Sequence, residues 1–125
     1  MAQVTSNGIQ IEATRLGDPQ SPALLLVRGL GTQMIQWPPT FVDALARERN
    51  VILFDNRDVG ESQKFDEVGE PDLATLMAGG SAPVPYLLKD MAADAVGVLD
   101  AFDVPRAHVF GMSMGGMIVQ EMAAR

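Results

Sequence analysis

The stretch AHVFGMSMGG, residues 107–116, joins a short apolar segment to a serine flanked by glycines. Ala107 to Phe110 is typical of a buried strand, and the residues from Met114 to Arg125 are typical of a helix that follows at once. Between them, residues 111–115 fit the pattern G-x-S-x-G. A serine in such a strand-to-helix turn takes a strained backbone conformation and projects its hydroxyl above the strand ends. We therefore predict that Ser113 is a nucleophile.

The glycines of this motif have a steric role in the prediction. Gly111 and Gly115 remove side chains that would collide in so tight a turn, and Gly116 extends the clearance on the helix side. Ser113 would then lie at a helix N-terminus, whose dipole favours developing negative charge. An idle serine, a serine that only caps the helix, and a phosphate cradle are the alternatives. The cradle is disfavoured because no Walker lysine pattern or complete G-x-G-x-x-G follows a strand.

Segments upstream of this motif predict the rest of a sheet. Asn-Gly at positions 7–8 lies between two short alternating segments, which predicts an antiparallel hairpin. Continuous apolar runs bounded by turn residues predict strands that are buried on both faces. The hairpin strands are predicted near Gln3–Thr5 and Ile9–Thr14, and the buried strands at Leu24–Val27 and Val51–Phe54.

Three further helices are predicted between these strands. The first runs from about Phe41 to Arg49 with Thr40 as its cap, and a short one lies near Asp72–Ala78. The clearest runs from Leu88 to Phe102, because its apolar residues recur every three or four positions. Three aspartates, Asp90, Asp94 and Asp100, lie mostly off that apolar face.

The order of these elements predicts a doubly wound α/β fold, a mostly parallel sheet with an antiparallel hairpin at its N-terminal edge. The chain has 125 residues, enough for one domain, and 47% of them are hydrophobic. Its net charge of −7 is spread along the chain with no basic stripe, so we expect no nucleic-acid partner. There is no cysteine, no apparent secretion signal and no apolar run long enough to span a bilayer. We expect a soluble cytoplasmic protein without a cofactor or a metal.

A second glycine-rich turn, residues 28–31, follows the Leu24–Val27 strand directly. Acyl transfer needs two backbone N–H donors for the oxyanion, one from the residue after the nucleophile and one from this earlier loop. Met114 and Leu30 are our candidates for these donors. The alternative is an ordinary glycine turn, which the presence of the serine motif disfavours.

The sequence resembles the N-terminal half of bacterial α/β-fold serine hydrolases of the esterase and peroxidase-like type, close to the aclacinomycin methylesterase-like group. The matching stretches are LLLVRGLGTQMIQWP, VILFDNRDVGES, YLLKDMAADAVGVLDAFDVPRAHVFG and MSMGGMIVQEMAAR. The resemblance implies that Ser113 is the nucleophile, that Leu30 and Met114 donate to the oxyanion, and that the substrate is a small-molecule ester. The sequence departs from the family at Arg28-Gly29, where the family often has His-Gly. This difference leaves the hydrogen bonding of the loop open. Asp55, Arg57, Gly60 and Ser62 match a D-x-R-x-x-G-x-S loop that we interpret as structural.

The acid and the base of a catalytic triad have no good candidate. The one histidine, His108, lies on the strand before the motif, and Glu121 lies on the helix after it. In the α/β hydrolases that the sequence resembles, the acid and then the base follow the serine in the chain. We therefore interpret His108, which precedes Ser113, as structural. We therefore expect residues 1–125 to be the N-terminal part of a single domain that lacks its cap and C-terminal part.

The isolated chain is accordingly expected to be inactive and to pair through its open sheet edge, either with the missing half or with itself. Two other functions remain open. One is a non-catalytic binding protein built on a half fold, and the other is a cofactor-free peroxidase that uses the same serine. The four methionines from Met112 to Met122 are interpreted as core and pocket groups rather than metal ligands, and Trp37 either lines an entrance or packs.

Overall fold

The computed structural model describes residues 2–29, 31–64 and 86–124. The helix predicted near Asp72–Ala78 lies outside these residues. Within them the chain order is β1 (Ala2–Ser6), β2 (Ile9–Leu16), β3 (Ala23–Val27), a 3₁₀ turn (Met34–Gln36), α1 (Pro39–Ala46), β4 (Asn50–Phe54), α2 (Leu88–Ala101), β5 (His108–Gly111) and α3 (Met114–Ala123).

The predicted hairpin is confirmed. β1 and β2 pair in antiparallel register, with Ser6 opposite Ile9. Asn7 and Gly8 turn the chain with φ values of 52° and 80°, the left-handed conformations that a two-residue hairpin turn requires.

The sheet has five strands in the order β1-β2-β4-β3-β5. β2 pairs with β4 in antiparallel register, whereas β3 pairs in parallel with both β4 and β5. The predicted α/β fold, a parallel sheet with an antiparallel N-terminal edge, is therefore confirmed. Because β3, β4 and β5 are parallel, the loops that follow all three lie at one edge of the sheet.

Helices cover both faces of the sheet, and each face has its own apolar core. α1 covers one face, where the buried core residues are Leu26, Met34, Trp37, Val42, Val51 and Leu53. α2 and α3 cover the other face over a larger core: Ile9, Ile11, Ala13, Leu25, Val27, Ile52, Phe54, Met91, Ala92, Ala95, Val98 and Ile118. No helix among the described residues is long and apolar enough to cross a membrane.

The first helix begins earlier than predicted. α1 begins at Pro39 after Pro38 and ends at Ala46, so Thr40 lies inside the first turn and is not its cap. Proline at the first helical position has a backbone angle already suited to the helix and lacks the N–H that would be unpaired there.

The prediction that Asp94 lies off the apolar face of α2 is wrong. Asp94 is only 1% exposed, and it lies among Met91, Ala95 and Val98 on the buried side of the helix. Its carboxylate is tolerated there because it is paired with Arg57, as described below.

The last strand is also less buried than predicted. His108 and Phe110 of β5 are exposed, since β5 pairs only with β3 among the described residues and forms the edge of the sheet. α3 follows at Met114 as predicted.

Candidate active site

The turn at Ser113 has the strained backbone that the motif predicts. Ser113 has φ 59° and ψ −126°, a conformation that L-amino acids rarely adopt. Its neighbours fix this turn through three backbone hydrogen bonds: Met112 N–H to the Val27 carbonyl, Gly115 N–H to that of Met112, and Gly116 N–H to that of Ser113. Ser113 is exposed, and its side chain makes no hydrogen bond that caps α3. The interpretation of Ser113 as a helix cap is therefore contradicted.

Two glycines of the motif are required by close backbone contacts. A Cβ atom on Gly111 would lie 2.2 Å from the Gly115 carbonyl oxygen, and a Cβ atom on Gly115 would lie 2.1 Å from that of Val27. Both distances are far below van der Waals contact. A Cβ atom on Gly116 would lie 3.6 Å from the Gly111 carbonyl oxygen, an ordinary contact. The predicted clearance role is therefore confirmed for Gly111 and Gly115 and is wrong for Gly116.

The loop after β3 lies directly against this turn. A Cβ atom on Gly29 would lie 3.1 Å from the Ser113 Cβ atom and 3.3 Å from the Met114 nitrogen. Met114 is the first residue of α3, so its N–H has no acceptor within the helix. Leu30, the other predicted oxyanion donor, lies outside the described residues. The described geometry thus brings Gly29 and Met114 together beside Ser113.

Two adjacent side chains after β4 hold the two ends of this loop. The Asn56 amide donates to the carbonyl oxygen of Arg28 at 3.0 Å, and the Asp55 carboxylate accepts from the Met34 N–H at 2.7 Å. Between these bonds, the Thr32 hydroxyl donates to the Gly29 carbonyl at 2.9 Å.

Asp55 also organises its own loop. Its carboxylate accepts from the Glu61 N–H at 3.1 Å, and its backbone carbonyl accepts from the Ser62 hydroxyl at 2.5 Å. Gly60 has φ 55°, and a Cβ atom there would lie 2.2 Å from an Asp55 carboxylate oxygen. These contacts support a structural interpretation of the D-x-R-x-x-G-x-S loop.

Arg57 of the same loop forms a buried ion pair with Asp94 of α2. Its Nε and Nη2 atoms donate to the two Asp94 oxygens at 2.7 and 2.8 Å, and these hydrogen bonds raise the pKa of Arg57 above its usual value. The guanidinium also lies over the Tyr86 ring, 4.8 Å from its centroid. The Tyr86 hydroxyl donates to Asp58 at 2.5 Å. Burial, and after it this hydrogen bond, raises the pKa of Tyr86.

Trp37 packs rather than lining an open entrance. It is 4% exposed, and its ring stacks on Phe41 at 5.9 Å and contacts Phe110 at 6.1 Å. The Arg28 guanidinium lies over the Trp37 ring, 4.6 Å from its centroid. Arg28, the residue that stands where the family often has histidine, is therefore directed toward this aromatic cluster.

The structure does not bring His108 to Ser113. His108 begins β5 opposite Leu24, whereas Ser113 follows the other end of that strand. Glu121 is exposed and lies about 10 Å along the α3 axis from Met114, at 1.5 Å per residue. Among residues 2–29, 31–64 and 86–124 no group of three or more His, Asp or Glu could hold a metal ion.

Sequence reasoning missed Asn56, Asp94 and Tyr86 in this region. Asn56 stands between two residues of the D-x-R-x-x-G-x-S motif at a position that the motif leaves free. Asp94 reads as one of several polar residues on a helix. The partners of Asn56 and Tyr86 are 28 residues away in the chain and that of Asp94 is 37 residues away, so no local pattern indicates them.

A parallel sheet whose strand-to-helix turn presents a strained serine beside a glycine loop defines the class of α/β hydrolases. The sequence profile of the alpha/beta hydrolase fold family matches residues 22–125. The chain therefore belongs to this family.

Named relatives agree with this assignment. Rhodomycin D methylesterase of a Streptomyces species is 36% identical over 121 residues, which are 96% of this chain and 36% of that protein. 3-Oxoadipate enol-lactonase 1 of Acinetobacter baylyi is 28% identical over 101 residues, 81% of this chain and 31% of that enzyme. The solved enol-lactonase of Burkholderia xenovorans LB400 superposes with a TM-score of 0.77 and 26% identity, over 99% of this chain and 42% of that one. The chain thus spans about a third of the length of these curated relatives.

Proposed function

We propose that this chain provides the nucleophile and the oxyanion donors of a serine hydrolase that cleaves carboxylic esters. The observation that carries the proposal is the pairing of a strained, exposed Ser113 with the Gly29 backbone and the Met114 N–H beside it. A serine forced into this backbone conformation costs folding free energy, and such strain is concentrated at functional sites. The relatives named above as a methylesterase and an enol-lactonase add support, since their names denote ester and lactone substrates.

In this proposal Ser113 Oγ attacks the ester carbonyl carbon while a base takes its proton. The resulting oxyanion accepts hydrogen bonds from the Met114 N–H and from an N–H of the loop after β3, and the N-terminus of α3 favours the negative charge. The alcohol leaves with a proton, and water then releases the acid from the acyl-serine. Each oxyanion donor is worth about a hundredfold or more in rate.

We infer that the base and its acid partner come from outside residues 1–125, which would be the N-terminal part of one hydrolase domain. His108 is the only histidine in the sequence, and it lies at the far end of β5. A serine without a base is a weak nucleophile at neutral pH, so residues 1–125 alone should hydrolyse esters poorly.

The proposal is tested on the full reading frame that contains these residues. A fluorophosphonate probe should label Ser113, and the protein should hydrolyse p-nitrophenyl acetate. Ser113→Ala should abolish both the labelling and the hydrolysis. His108→Gln is the matched control for the base and should keep turnover within threefold. Undiminished labelling of the Ser113→Ala protein would refute the assignment, and a thousandfold loss in His108→Gln would make His108 the base.

We further propose that the open side of β5 pairs with an additional strand. Phe110 and Met112 at this edge are 45% and 51% exposed, and the described residues leave the outer backbone groups of β5 without a neighbouring strand. An open apolar edge favours pairing with another chain. Residues 1–125 alone should therefore self-associate in size-exclusion chromatography with light scattering. Phe110→Lys should reduce the association, whereas Leu87→Lys, at a similarly exposed position just before α2, should not.

A further inference from the structure

We propose that Asn56 is a positioning residue for acyl transfer, which holds the Arg28–Gly29 backbone against Ser113 through its hydrogen bond to the Arg28 carbonyl. The inference rests on the proposed function and adds to it a residue at a position that the D-x-R-x-x-G-x-S motif leaves free.

The Arg28 carbonyl oxygen lies between Asn56 and the serine turn. On one side it accepts the Asn56 amide at 3.0 Å. On the other side it lies 2.9 Å from the position that a Cβ atom on Gly115 would take. Its location therefore sets how closely the loop after β3 approaches the first turn of α3.

Fixing this carbonyl also fixes the next residue. The Arg28 carbonyl and the Gly29 N–H belong to one planar peptide unit, so a bond to the oxygen orients the whole plane. Gly29 lies against the serine turn, since a Cβ atom there would lie 3.1 Å from the Ser113 Cβ atom and 3.3 Å from the Met114 nitrogen. The Asn56 bond thus fixes the peptide unit directly before that of Leu30, whose N–H is the predicted second oxyanion donor, whereas Asn56 itself touches no reacting atom.

The Asn56 side chain is buried and only partly hydrogen-bonded. It is 1% exposed, and its Oδ1 atom has no hydrogen-bond partner among the described residues. A buried amide that satisfies only part of its hydrogen-bonding capacity costs folding free energy relative to a fully satisfied one. The bond that it does make is directed at the loop beside the predicted nucleophile.

Asn50 provides a matched control at the other end of the same strand. It is 2% exposed, and its Oδ1 atom also has no partner among the described residues. It begins β4, however, whereas Asn56 follows the end of β4 that lies beside Ser113. Asn50→Leu therefore reports what the loss of a buried asparagine does without touching the loop after β3.

The experiment compares Asn56→Leu with Asn50→Leu in the full reading frame that contains these residues. We expect kcat for p-nitrophenyl acetate to fall tenfold to a hundredfold in Asn56→Leu with KM within threefold, because a displaced oxyanion donor weakens transition-state binding. Hydrogen–deuterium exchange should become at least tenfold faster at the Thr32 amide, whose acceptor is the Gly29 carbonyl. Asn50→Leu should change neither kcat nor this exchange rate by more than threefold. If Asn56→Leu does not fold, Asn56→Asp makes the same comparison against Asn50→Asp, since it keeps the shape and removes the amide donor.

The possible failures are separable. If Ser113→Ala is inactive but the Asn56 variants keep kcat within threefold, the positioning role is wrong and the proposed function stands. An equal loss of kcat in the Asn50 variant would also overturn the positioning role. If Ser113→Ala retains turnover, the proposed function itself fails.

Discussion

Arg57 and Asp94 form a bidentate ion pair in which both side chains are buried, at 7% and 1% exposure. This pair joins the loop after β4 to the middle of α2. Asp94 is held further by the Asn7 amide, which donates to its carboxylate at 3.0 Å, and by the Ser6 hydroxyl, which donates to its backbone carbonyl. The hairpin turn, the β4 loop and α2 therefore meet at one carboxylate.

Replacing Asp94 by Asn should lower the free energy of unfolding by about 3 kcal/mol, because it removes the negative charge from a buried, hydrogen-bonded ion pair. Asp100→Asn on the same helix is the control, since Asp100 is exposed, and it should change stability by no more than about 0.5 kcal/mol. Urea unfolding followed by circular dichroism measures both. Equal effects of the two substitutions would contradict a stabilising role for the pair.

Stability should fall at alkaline pH through Tyr86. Its pKa is raised in the folded state, so the folded protein holds the phenol proton more tightly than the unfolded chain. This contribution is complete below the ordinary tyrosine pKa of about 10 and is lost as the pH rises above it. Tyr86 is the only tyrosine in the chain, so absorbance of tyrosinate near 295 nm reports its titration directly.

The control for that titration is Tyr86→Phe. Between pH 8 and pH 11, the unfolding free energy of Tyr86→Phe should fall less steeply than that of the parent, since groups other than Tyr86 contribute equally to both. Parallel pH dependences, or a tyrosinate transition at the ordinary pKa in the folded protein, would refute the prediction.

Gly115 and Gly116 are neighbours that should respond oppositely to alanine. Gly115→Ala places a methyl group 2.1 Å from the Val27 carbonyl oxygen and should lower stability by about 3 kcal/mol through overpacking. Gly116→Ala meets only an ordinary contact and should raise stability by about 0.5–1 kcal/mol, because alanine is the better helix former. Thermal unfolding of the two variants measures both changes in stability. A destabilised Gly116→Ala protein would show that the first turn of α3 is more crowded at Gly116 than these distances indicate.

The strain at Ser113 should appear as a preference for glycine. Ser113→Gly should be more stable than Ser113→Ala by about 1 kcal/mol, since glycine adopts positive φ without a steric penalty and both variants lack the hydroxyl. Ser21, whose φ is not positive, provides the matched pair. There the order should reverse, with Ser21→Ala more stable by about 0.5 kcal/mol because glycine gives the unfolded chain more freedom. Denaturant unfolding of all four variants measures the two differences, and the same order at both sites would mean that Ser113 is not strained.

Most of the secondary structure was predictable because its signals are short-range. The hairpin turn at Asn7-Gly8, the apolar runs of β3 and β4 and the periodicity of α2 are each contained within a few residues. The errors occurred where a neighbour in the chain or in space outweighed a local rule. α1 begins at Pro39 and is not capped by Thr40, and the ion pair with Arg57 allows Asp94 to be buried.

The candidate site was predictable only in part. The turn at Ser113 could be predicted because the G-x-S-x-G motif spans only five residues, and the crowding at Gly111 comes from the Gly115 carbonyl oxygen of the same motif. Asn56 could not, because its contact with Arg28 depends on β3 and β4 being adjacent and in a particular register.

By itself, then, the sequence determined the order of strands and helices, the strained turn at Ser113 and the need for glycine at position 111. These follow from backbone sterics and side-chain periodicity, which act over a few residues. Only the tertiary structure decided that Gly29 lies against Ser113, that Asn56 holds Arg28, and that Asp94 is buried beside Arg57. Each of those contacts joins residues at least 28 positions apart, and only the packing of strands and helices in the folded chain brings such residues together.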